Sequence, residues 1–93
     1  MTVTTTKVEM SAERIVTEPM HSPRVVHVDT EDYNLVVVYV EHEVGDDVTP
    51  DDLRRLWLHV VKPGTPVEWP LKFAGATKTH LNRLWFVYVS GGQ

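Results

Sequence analysis

The sequence predicts an all-β domain: a small antiparallel sandwich or barrel of five to six strands with an extended N-terminal arm. Three observations predict it. Apolar residues alternate with polar ones through Val67–Phe73, the period of a strand with one buried face, and Leu35–Val40 is a run of six apolar residues, as in a strand covered on both sides near its middle. Runs of Val, Leu and aromatic residues are separated by Pro, Gly and Asp turns. And 93 residues leave room for one domain with one modest core.

Residues 1–23 form the predicted arm and linker. Met1–Met10 is rich in Thr and Val, which suits an extended backbone, but it lacks an apolar face. Glu18-Pro19 and Ser22-Pro23 then interrupt the chain, which sets this stretch apart from the core. The single domain covers residues 24–90. Arg24–Val28 reads as a strand closed by the polar turn Asp29–Asp32. Tyr33–Val44 is the longest strand candidate, with Val36, Val38, Val40 and Val44 on one face and Tyr33, Leu35, Val37, Tyr39, Glu41 and Glu43 on the other.

The segment at 50–62 supports two readings. Thr49-Pro50-Asp51-Asp52 is the chemistry of a helix start, and Leu53, Leu56, Trp57, Val60 and Val61 fall on one helical face. The alternative fold is therefore α+β, with one helix over 50–62. However, Leu53–Leu58 resembles Leu81–Phe86, which continues into Val87-Tyr88-Val89, a β-rich run. That comparison favours one helical turn followed by a strand. Val67, Trp69, Leu71 and Phe73 form the cleanest apolar stripe, and Pro70 marks this strand as an edge. Leu84–Val89 is the last strand, and 91–93 form a tail. The predicted core is Val36, Val38, Val40, Val67, Trp69, Leu71 and Phe73, and the aromatic set including Trp57 and Trp85 is assigned mainly to it.

Chemistry is harder to find. His21, His27, His42, His59 and His80 include no pair at the two-, three- or four-residue spacing that puts metal ligands on one face, and there is no cysteine. No metal or other cofactor is expected. Glu41-His42-Glu43 alternates faces, and the acids from Glu41 to Asp52 lack the offsets of a calcium loop. The serines lie in polar surroundings with no glycine-flanked elbow. The net charge of −4 argues against nucleic acid, and no apolar run approaches membrane-spanning length. A charged segment leading into an apolar one is also missing at Met1, so secretion by a signal peptide is not expected, and the localisation is read as cytoplasmic or virion.

These readings lead to a non-catalytic structural or interaction protein, self-assembling in the manner of a capsid or tail component of a virion, with a protein partner or a second copy as its ligand. Val3, Thr5, Val8 and Met10 of the arm are the expected strand-pairing residues. Asp46, Asp47, Asp51 and Asp52 are the expected acidic contacts for a basic partner. Two other roles fit the residues: a small regulator or inhibitor docking on a larger protein, and a β-barrel enzyme or ligand-binding protein using dispersed histidines.

Overall fold

The computed structural model describes residues 2–32, 34–46, 48–68 and 71–91. Among them are eight strands: β1 (Thr2–Glu9), β2 (Arg14–Val16), β3 (Met20–Glu31), β4 (Leu35–Val44), β5 (Leu53–Arg54), β6 (Leu56–Val61), β7 (Lys72–Lys78) and β8 (Leu84–Gly91). They form two antiparallel sheets, A in the order β1-β4-β3-β5 and B in the order β2-β6-β8-β7. The fold is an all-β sandwich with more strands than the five to six expected.

The core lies where the two inner faces meet. Val36, Val38 and Val40 of β4 are buried there with Leu56 and Leu58 of β6 and Val87 of β8. Alternation settles the contested segment: Leu56 and Leu58 are buried while Trp57 between them is 53% exposed, a period of two rather than 3.6. A single 3-10 turn at Pro50–Asp52 precedes the strands, so the helix over 50–62 does not form.

Two expectations need correction. Residues 2–23 are not an arm apart from the core. β1 pairs along its whole length with β4, from Thr2 opposite Val44 to Glu9 opposite Val37, and β2 pairs with β6. Met10 and Met20 join the core cluster. Thr17 is buried, its hydroxyl accepting from the Leu56 N–H at 3.0 Å and donating to the Glu18 carbonyl at 3.0 Å. A backbone ladder needs no side-chain alternation, so a strand of threonines can pair without announcing itself. Pro23 is not a linker break either. It is buried in β3, within a register shift between His21 and Arg24 where Ser22 has φ 48°.

The second correction concerns Val67–Phe73. Val67 and Leu71 are half-buried but outside any strand, and Phe73 is 57% exposed. The Leu71 N–H donates to the Glu68 carbonyl at 3.1 Å, a local bond where a ladder bond was expected. Trp69 and Pro70 lie outside the described residues, as do Tyr33 and, from the expected tail, Gly92 and Gln93. Gly91 itself ends β8, at φ 83°.

The sheets come closest at β3 and β7. A Cβ on Gly75 would sit 2.8 Å from Cγ2 of Val28, so only glycine permits this approach. The Thr30 and Thr77 hydroxyls bond across the gap at 2.7 Å.

Candidate interaction surface

Register determines which residues share each outer face. In sheet B, Val16 stands opposite Trp57, Trp57 opposite Ser90, Val61 opposite Phe86, and Phe73 opposite Tyr88. Their inner neighbours Leu58 and Val87 are fully buried, so this row points outward. Val16, Trp57, Phe73 and Leu84 are exposed; Val61, Phe86 and Tyr88 are half-buried. The Phe73 ring meets Phe86 and Tyr88 edge-on, each at 5.6 Å between centroids. Sheet B is thus apolar on both faces.

One end of that face is roofed by the segment joining β6 to β7. A cavity of about 330 Å³ lies there, lined by Glu13, Arg14, His59, Val61 and Glu68 among others. Burial pushes the His59 pKa down, and the Arg14 guanidinium pushes it the same way. A second groove, about 410 Å³, opens between the sheets beside Arg24, Leu56, Lys72 and Phe73. The Lys62 ammonium lies 5.9 Å from the Trp85 ring centre, and the buried Trp85 Nε1 has no hydrogen-bond partner.

The outer face of sheet A is different in kind. Lys7 Nζ meets Glu31 at 2.9 Å, and Arg24 meets Glu41 at 3.1 Å. His21 pairs with Glu43 through Nδ1, and its Nε2 lies 3.7 Å from Asp52. The Thr49 hydroxyl donates to Asp52 at 2.6 Å; that bond, with help from His21, holds the Asp52 carboxyl below its ordinary pKa. His42 faces inward, bonded to the Thr6 hydroxyl at 2.8 Å where the sandwich opens to water.

The sequence-predicted contact residues do not form one site. Val3 and Thr5 are exposed on β1, Val8 packs against the core, and Met10 belongs to it. Asp46, Asp51 and Asp52 are exposed at the far side of β4 and β5, and Asp47 lies outside the described residues. Sequence reasoning missed Trp57 and Phe73 as surface residues, because it took every apolar stripe as core. It also missed His21 between Glu43 and Asp52, which only the fold brings together.

Among the described residues no group of three His, Asp or Glu side chains is placed to hold a metal ion, and no helix is long and apolar enough to cross a membrane. The chain matches no protein-family profile, no curated protein and no solved structure.

Proposed function

We propose that this chain is a non-catalytic structural or interaction protein that associates with itself, and that the outer face of sheet B is the contact. The observation that supports this reading is the row Val16, Trp57, Phe73, Phe86 and Tyr88, which continues the apolar character of sheet B onto the side away from the core. Sheets apolar on both sides are ordinarily covered on both sides, and a contiguous apolar patch on a soluble domain marks a contact surface. Charge favours a second copy as the cover. The face carries both signs, with Arg14 and Lys78 in register on it and Glu13 and Glu68 at its roofed end. Two copies can therefore meet there with opposite charges set against each other. A capsid or tail component of a virion is the sharper form of the reading, in which the contact repeats through an array.

The test is sedimentation equilibrium from micromolar to millimolar chain, with Trp57→Ser and Phe73→Ser beside the parent. The parent should self-associate, and each variant should bind at least about tenfold more weakly, as expected for truncating an aromatic anchor. A parent that stays monomeric throughout would reject self-association and favour docking on a larger protein.

A further inference from the structure

The free edge of β1 supports a separate inference, independent of the aromatic face. The Met10 N–H donates to the Val36 carbonyl at 2.9 Å, which identifies these residues as a hydrogen-bonded pair in register with β1 and β4. Bonded and non-bonded pairs alternate along an antiparallel ladder. Thr2, Thr4, Thr6 and Val8 therefore bond to β4. Val3, Thr5, Lys7 and Glu9 turn their N–H and C=O groups away from it, and β1 is the edge of sheet A.

The other edges are guarded. Beyond its pairing with β5 at Met20 and His21, β3 is an edge that carries Pro23, charged residues and two register shifts. β7 carries Lys72 and Lys78 at its ends and a bulge between Phe73 and Gly75, and the Thr30 hydroxyl reaches its Lys78 carbonyl at 3.5 Å. β2 has three residues and β5 has two. Lysines, bulges, short length and covering groups are the devices that keep edges from pairing. β1 has no proline and no register shift, and its one lysine, Lys7, is turned back over the sheet to pair with Glu31.

We propose that β1 pairs antiparallel with β1 of a second copy, about a twofold axis normal to sheet A at Thr5, joining two A sheets into one of eight strands. Such an axis keeps each face on its own side, so residues opposite each other across the seam share parity. All the outward-facing groups are on odd residues, which meets that condition. With Thr5 on the axis, Val3 faces Lys7 and Thr5 faces its own copy, giving about six inter-chain hydrogen bonds. Thr4 then stands beside Thr6, a favourable cross-strand pair. Moving the axis to Thr6 sets the two Lys7 ammoniums on a diagonal, and moving it to Lys7 sets them directly opposite. Lys7 and Glu9 also cancel in charge, so this seam is neutral in a chain of net charge −4.

Thr5→Pro tests the proposal, because it removes a donor that β4 does not use, and proline is tolerated where the N–H faces away from the ladder. Thr5→Lys places two ammoniums at the axis. Both are measured by sedimentation equilibrium of the full chain, alone and with Trp57→Ser, which separates the seam from the aromatic face. The expected result is about a hundredfold weaker association in both backgrounds, with the far-UV spectrum unchanged. An unchanged dissociation constant in folded variants overturns the seam even if Trp57→Ser weakens association. If Thr5→Pro does not fold, Thr5→Lys decides. Register has its own readout in a chain without cysteine. Thr5→Cys should oxidise to a disulfide dimer, its Cα atoms about 5.5 Å apart. Val3→Cys should not, because about four residues, or roughly 13 Å, would separate the two sulfurs along the seam. Equal cross-linking of both overturns the register.

Discussion

The two sheets bury their inner faces in one core and differ on the outside. Sheet A is completed by its own side chains. The register puts Val37, fully buried on the outer face, midway between the residues opposite Lys7 and Glu31, and that ion pair spans the strand at its level. Arg24–Glu41 and His21–Glu43 continue the same device toward the far end. Sheet B shows water an aromatic row in the same position. Burial in the core therefore does not decide what a sheet does with its other side. One face is finished within the chain, and the other leaves its aromatic row exposed.

The largest expected effect separates the two faces of β6. Leu58→Ala, on the inner face, should lower unfolding free energy by about 2–5 kcal/mol in urea denaturation. Trp57→Ser, the adjacent residue on the outer face, should change it far less while weakening association; equal losses would mean that Trp57 is core in practice. Next comes the seam holding the sheets together. Gly75→Ala puts a Cβ 2.8 Å from Val28 Cγ2 and should cost about 1–3 kcal/mol by overpacking, read from the same titration. A neutral result would show that the sheets can separate at β7.

On the finished face, Arg24→Ala should cost no more than about 1 kcal/mol, because its side chain is 71% exposed and surface ion pairs contribute little. A larger loss would make that pairing structural rather than a means of keeping charge solvated. The smallest effect is the response of sheet B to acid. His59 has a lowered pKa in the fold, so the unfolded chain takes up a proton first as pH falls. The His59 contribution is fully present above the ordinary histidine range. It declines as pH drops from there to the depressed folded value, and levels off below it. His59→Gln should remove that part of the slope in melts between pH 8 and 5, and an unchanged slope would assign it to other groups.

The legible parts of the fold were those whose residue types favour one local structure. β4 and β8 are dense in β-branched and aromatic residues, and the Pro50–Asp52 turn carries its own proline and acids. β6 was ambiguous because Leu53, Leu56, Trp57, Val60 and Val61 satisfy a helical stripe as well. What decided it was burial against β4, which is a tertiary fact. β1 was less legible as a core-sheet strand, since threonines on both faces leave no alternation to read. Phe73 misled for the opposite reason: its apolar stripe read as a core face, yet the residue is 57% exposed. Asp46, Asp51 and Asp52 are exposed, as acids in a polar loop are expected to be, but Met10 went to the core because an isolated methionine has no period.

The pairing of β1 with β4 also has a consequence in time. During synthesis β1 is made before its partner, and Val44 follows Glu9 by about 35 residues, roughly two to seven seconds of elongation. Over that interval both edges of the strand are bare. A valine- or isoleucine-rich strand left open so long would invite pairing with neighbouring nascent chains. Threonine keeps the β-branched shape that the ladder later uses while adding a hydroxyl to each otherwise apolar side chain. The composition that hid β1 from sequence reading is thus also what lets the strand wait in water for β4.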